Sequence, residues 1–440
     1  MTRILLRDGC VLTLGAKTPN FTRADVLIDG ETVAEIGTGL RARDAEQVDA
    51  TDSIVMPGFV DTHRHAWRSL SRNVGAWPPD GGAAGAGDEF RPDDVYAATL
   101  IGLLGAIEAG ITTVVDWSPI RPDDAFIDAA LRAHADAGLR TVFVHAPRVG
   151  TEDRGSTTPT MRQLVARLTD AAGPLTTIAF GSDVPSANDL ERVAAEWEGA
   201  RALGLRIHAH ADPETSGPGA IAELARRGLL REDVTLVHCS SLDDADVDAI
   251  AVSGAAVSVA PSSAMASGLG TPQIQPLIDR DIRPGLGVDE ERLTPGDLFA
   301  QMRATISLQH ATVFDRKLAG KAGVPRLMST RDVIRHATVD GARAVGLGTV
   351  TGSLEPGKQV DIVMLQTDRP NIFPVNDPIG AVVWGMDTSN VDQVFVAGRP
   401  LMRDGALEAN VERARDLATT AHDHIAAGGL AIGTAPRGEW

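Results

Sequence analysis

Three features of the chain predict an α/β protein: a (β/α)8 TIM-like barrel with a composite β-sandwich domain built from both chain ends. Apolar strand-like segments alternate with amphipathic helical patterns through the middle of the sequence. Strand patterns without helices occupy its two ends, and metal-binding residue types gather where the middle strands stop.

Residues 1–56 are expected to form the N-terminal part of the sandwich, with strands at Ile4–Leu6, Cys10–Leu14, Ala24–Ile28 and Thr32–Ile36 and a hairpin turn at Asp29-Gly30. The barrel is expected over residues 57–351. Its strands are read at Ile54–Asp61, Thr112–Val115, Arg140–Val144, Thr176–Phe180, Leu205–His210, Thr235–His238, Ala256–Val259 and Ile282–Val288. Amphipathic segments such as Val95–Ala109, Asp123–Ala137, Asn188–Leu203 and Asp243–Ser253 supply outer helices. The glycine-rich stretch Gly81–Gly87 reads as a flap over the site or as a surface loop. Strand patterns return over residues 352–410, at Gln359–Leu365, Gly380–Trp384 and Val391–Val396, and complete the sandwich. Residues 411–440 are read as a closing helix, Val411–Ala427, and a tail.

A chain of 440 residues with 43% hydrophobic content can bury a large core, and its formal net charge of -18 speaks against nucleic-acid or anionic-membrane partners. A small-molecule substrate is expected, with a homodimer possible on general grounds. No apolar run approaches the roughly 20 residues of a membrane span. The N-terminus lacks a secretory pattern, and Cys10 and Cys239 offer no disulfide framework, so the expected location is cytoplasmic.

The segment Pro57-Gly58-Phe59-Val60-Asp61-Thr62-His63-Arg64-His65 places two imidazoles two positions apart at a strand end, where alternate side chains share a face. Later strands end in the same chemistry: His208 and His210, His238, and Asp289. Neutral imidazoles with one carboxylate suit zinc or ferrous iron. A second His-x-His, His422 and His424, falls on a helical pattern where positions i and i+2 diverge, so it is not expected to chelate.

With Gly110-Ile111-Thr112-Thr113-Val114-Val115-Asp116, Val237-His238-Cys239, Gly285-Leu286-Gly287-Val288-Asp289 and Gly352-Ser353-Leu354-Glu355-Pro356-Gly357 added, the chain resembles the amidohydrolase superfamily. The likeness is to its branch of deaminases and chlorohydrolases acting on triazines and purine-like rings. It implies metal ligands at His63, His65, a fifth-strand histidine and Asp289, with His210 favoured over His208. It further implies that His238 orients water or substrate, and Asp289, if it touches ion and water at once, can serve as general base. Bimetallic relatives bridge their ions with a barrel lysine. The only lysines here are Lys17, Lys317, Lys321 and Lys358, none on a barrel strand, and the fourth strand, read over Thr176–Phe180, has no acid to bridge a pair instead, so one divalent ion is expected, zinc ahead of iron.

The expected activity is metal-dependent hydrolysis of a carbon–nitrogen bond in a small heterocycle, by deamination or by opening a cyclic amide or amidine. Trp67, His145, Trp117 and His208 are candidate substrate contacts. Three positions depart from the family pattern: Pro213 stands where ring deaminases place a proton-shuttling glutamate, Ser241 where many place a histidine, and Pro261-Ser262-Ser263-Ala264 lacks an asparagine. These departures put purine deamination in question. They leave open a lyase, decarboxylase or cyclase on the same scaffold, or a catalytically idle binding protein.

Overall fold

A computed structural model describes residues 3–73, 90–118, 124–146, 158–183, 190–211 and 216–427. Eight parallel strands follow in chain order: β1 (Phe59–Arg64), β2 (Ile111–Ser118), β3 (Arg140–His145), β4 (Thr176–Asp183), β5 (Ile207–Ala211), β6 (Val234–His238), β7 (Ala256–Val259) and β8 (Gly285–Leu286). Helices α1 (Pro92–Glu108), α2 (Asp124–Ala137), α3 (Thr158–Ala171), α4 (Leu190–Ala202), α5 (Ala220–Arg226) and α6 (Asp244–Ser253) occupy the first six crossovers. Strands covered by helices outside and packed side chains inside are buried on both faces. Every residue of β1, β2 and β6 is accordingly buried.

Val60, Val115, Trp117, Val142, Val144 and Ala179 form one cluster with Ala342 and Val345. Ala342 belongs to the helix Val339–Ala344, which sits at the start of β1, where Val60 N donates to Ala337 O at 2.9 Å. Because β8 is so short, it meets β1 at the strand tips. There Asp289 N donates to His63 O at 2.8 Å and His65 N donates to Asp289 O at 3.0 Å. Gly287 permits this approach, since a Cβ on it would lie 2.9 Å from His63 O. Barrel closure and the cluster of histidines therefore share the same residues.

The chain ends pair in a separate nine-stranded mixed sheet around an apolar cluster that includes Val26, Val55, Ile362 and Phe395. At its centre Ser53–Pro57 runs antiparallel to Ile362–Gln366 and parallel to Arg3–Val11. The buried Arg140–Asp361 ion pair, 2.7 Å from Nε to Oδ2, fastens the barrel to this sheet. Val411–Ala427 is helical and packs on α1. Among the described residues, no helix is long and apolar enough to cross a membrane.

Three expectations need correction. Ile54–Asp61 is two strands, broken at Gly58, where Phe59 turns into the barrel and a Cβ would come within 2.1 Å of Thr112 Cγ2. Gly380–Trp384 is helical, because Asp377 caps Pro378–Gly380 and the π-helical Ala381–Gly385 buries Val382 and Val383. A short apolar run alone does not distinguish the two conformations. The fourth strand runs on to Asp183 and so does end in an acid. Gly81–Gly87, and the stretch 212–215 that contains Asp212, Pro213 and Glu214, lie outside the described residues.

Candidate metal centre

Near its tip β1 is bulged: Asp61 pairs with Val114 and Arg64 with Asp116, so three steps on β1 match two on β2. A bulge bends its strand and re-aims the side chains it contains, and His63 lies within this one. His63 Nε2 is 3.3 Å from Asp289 Oδ1, and His65 Nε2 is 3.4 Å from the same oxygen. From β5, His210 brings its Nε2 to 3.2 Å from that of His63. His238, ending β6, stacks on His210 with ring centroids 5.3 Å apart and lies 5.4 Å from the His63 ring. Two sets, His63–His210–His238 and His63–His65–Asp289, each keep their ligand atoms within 4.8 Å of one another. They share His63, so all five side chains surround one region.

Two of the five sit on unusual backbone. His238 has φ 70° and Asp289 φ 65°, in the left-handed region that side-chain-bearing residues seldom adopt. Local bonds hold both: Cys239 N donates to Ala211 O at 3.0 Å, and Asp289 is pinned by its two bonds to β1.

Burial pushes the His63 imidazole below its ordinary value, more than its hydrogen bond to Asp289 raises it. Burial, then the charge of Arg68, holds His65 well below the usual histidine range. For Asp289, burial opposes ionisation. The hydrogen bond with His63 and the fields of His238, His63 and His65 outweigh it and keep the carboxyl well below the usual carboxylate range. At His63 and His65 the centre thus sets neutral imidazoles against an ionised carboxylate. Nitrogen lone pairs and a carboxylate oxygen turned on one another at 3.2–3.4 Å repel unless a proton or cation lies between them. This donor set fits a divalent ion of zinc type.

The four expected substrate contacts are placed differently from one another. Trp117 lies against the centre, its ring centroid 4.0 Å from that of His210. Trp67 packs edge-on against Phe90 at 5.6 Å in the layer between barrel and helices. His145 ends β3 with its Nδ1 buried, and burial followed by the field of Arg167 pushes it down to about 4. His208, fully buried and outside both ligand sets, is pushed down to about 3 by burial and then by Arg206. On helix Val411–Ala427, His424 approaches Asp94 at 2.9 Å.

Some residues of the site were not anticipated. Arg64, between the two β1 histidines, is buried and bonds Asp61 Oδ2 at 2.7 Å, Glu291 Oε1 at 2.5 Å and Gly296 O at 2.7 Å. Asp61 Oδ1 accepts from Val288 N at 3.0 Å, so this ion cluster ties β1 to the segment bearing Asp289. The signal was available, since an arginine inside a buried strand requires partners. Ser263 Oγ donates to Asp289 Oδ2 at 2.6 Å from the first turn of Pro261–Ala266, where the asparagine was missed.

Comparison with known proteins agrees with this architecture. Residues 54–401 match the amidohydrolase family. The chain is 27% identical to 5'-deoxyadenosine deaminase of Methanosarcina mazei over 92% of its own length and 94% of the relative's. Atrazine chlorohydrolase TrzN of Arthrobacter aurescens TC1, crystallised with zinc, superposes with TM-score 0.83 at 22% identity, covering 95% of this chain and 100% of that one. An adenosine deaminase from Xanthomonas campestris with bound zinc gives TM-score 0.81 at 20% identity, covering 97% and 99%. The match over most of its length shows that the chain belongs to the amidohydrolase family.

Proposed function

We infer that this protein hydrolyses a carbon–nitrogen bond of a small heterocyclic molecule, using water activated at one divalent ion, zinc in preference to iron. The observation that carries this reading is the convergence of four imidazoles and one ionised carboxylate at the strand tips. In it, His63, His65, His210 and Asp289 are the ligands. A divalent ion bound there supplies Lewis-acid charge that makes water a competent nucleophile near neutral pH. Asp289 takes up the proton of the attacking water, and Ser263 holds its Oδ2 in place meanwhile. His238, on its left-handed backbone, orients the water or the group under attack. Trp117 offers a flat apolar face beside His210 for a planar ring. His145 stands at the rim, whereas Trp67 and His208 support the site from behind. The two unpaired cysteines suit a cytoplasmic setting.

Relatives named for deamination of adenosine derivatives make amino-substituted purine nucleosides the first substrates to test. Metal analysis of purified protein should return one tightly held ion per chain; two would overturn the single-ion reading. Ammonia release should then be followed with 5'-deoxyadenosine, 5'-methylthioadenosine and aminotriazines, before and after chelation. Activity that survives removal of the metal would refute the mechanism. Metal-replete protein that neither releases ammonia from nor opens any heterocycle would favour elimination or decarboxylation chemistry.

A further inference from the structure

Behind the histidine cluster lies a buried polar chain that the proposed mechanism does not use. Asp116 on β2 directs its carboxylate to the helix layer, where Oδ2 is 2.8 Å from Nε2 of His134 in the last turn of α2. His134 Nδ1 is in turn 3.0 Å from Thr141 Oγ1 on β3. All three residues are buried. The other carboxylate oxygen, Oδ1, accepts from Ala66 N at 2.9 Å.

That last bond falls at a telling place. The β1–β2 ladder ends at the Arg64–Asp116 pair, just past the bulge, so no ladder bond to β2 fixes the chain beyond Arg64. His65 comes next, with φ -111° and ψ 76°, and precedes the 3-10 helix Ala66–Ser71 without capping it by its own side chain. Ala66 N is thus one of the donors that a helix start leaves unsatisfied, and Asp116 satisfies it. His65 is thereby held between two anchors: its own N–H on Asp289 O at 3.0 Å, and the next N–H on Asp116.

We propose that Asp116, braced by His134, is a positioning residue of the metal centre: by fixing the main chain that leaves His65 it aims that imidazole at the ion. The inference rests on the metal centre proposed above. An acceptor that orients a ligand from behind typically changes metal affinity 10- to 100-fold when removed. The carboxylate of Asp116 bonds Ala66 N and His134, so its effect passes through the backbone of His65.

The test uses the full-length protein stripped of metal and reloaded with cobalt(II), whose visible d–d spectrum reports coordination geometry independently of turnover. Asp116→Ala should shift that spectrum and weaken cobalt binding at least about tenfold in competition with a chelator. Asp116→Asn keeps an oxygen for Ala66 N and should restore both to within about threefold. His134→Gln, which leaves the Asp116–Ala66 bond but loosens its brace, should fall between them. A folded Asp116→Ala protein with the wild-type spectrum and affinity overturns the proposal. If that variant does not fold, His134→Gln decides, and a wild-type spectrum and affinity in it overturn the proposal. Melting temperatures of the metal-free proteins, measured alongside, separate a change in the centre from general loosening. Wild-type protein that binds no cobalt would instead refute the metal centre itself.

Discussion

The hydroxyl of Ser263 donates to Oδ2 of Asp289 at 2.6 Å, while Oδ1 of the same carboxylate faces His63 and His65. The two oxygens are therefore distinguished before any substrate arrives. A hydrogen bond to a charged group typically contributes about 1.5–3 kcal/mol. Ser263→Ala should accordingly lower kcat by roughly tenfold or more, with KM little changed, because in the proposed mechanism the bond acts on the group that takes the proton and not on the substrate. Steady-state kinetics on the first active substrate checks this, and an unchanged kcat would show that Asp289 needs no such anchor.

His208 offers a pH test free of turnover. Its pKa in the folded chain, about 3, lies below the ordinary 6.5, so between those values the unfolded chain binds a proton there that the folded chain does not. Stability then falls as pH falls through that window, by up to about 1.4 kcal/mol per pH unit from this one group. Above pH 6.5 the group is neutral in both states and contributes no slope. Urea unfolding of metal-free protein between pH 7.5 and 4.5 should show the loss, and His208→Leu should make it shallower, with His63, His65 and His145 supplying the remainder. Parallel pH profiles for the two proteins would place protonation of His208 elsewhere.

How much of this was legible in the sequence differs by residue. His63 and His65 stand out because strand alternation puts them on one face, and His210, His238 and Asp289 because each ends an apolar run. Strand ends were therefore readable without knowing how the strands pack. Ser263, Glu291 and His134 were not, since their meaning depends on which neighbour each meets: Asp289, Arg64 and Asp116 respectively. His134 alone looks like one polar position on an amphipathic helix. Gly380–Trp384 failed for another reason: five mostly apolar residues fit a buried strand or a buried helix, and the cap at Asp377 decided the outcome.

Trp117 and Trp67 separate binding from packing. With its ring 4.0 Å from that of His210, Trp117 should act on substrate as well as pack in the barrel cluster, so Trp117→Leu should raise KM about tenfold and also lower the melting temperature. Trp67, packed on Phe90, should behave as a core residue. Trp67→Ala is expected to cost about 3 kcal/mol of stability with little change in KM. Kinetics and thermal melts on both variants give the comparison, and a reversed pattern would move the ring-binding face from Trp117 to Trp67.

Arg64 yields the largest expected loss of stability. Its guanidinium is buried and meets Asp61, Glu291 and the Gly296 carbonyl, while Glu291 has a second partner in Arg72 at 2.5 Å. Arg64→Met fills similar space but leaves Asp61 buried with no cation. Removing one partner of a buried ion pair costs about 3–5 kcal/mol, because the remaining charge is uncompensated. Adding Asp61→Asn should therefore recover part of the loss, since a neutral amide can still accept from Val288 N, as Asp61 Oδ1 does now at 3.0 Å. Glu291 keeps Arg72 in both variants, so the recovery isolates the Asp61 charge. Urea unfolding of the single and double variants measures it, and a double variant no more stable than Arg64→Met would show that packing, not charge, sets the role of Arg64.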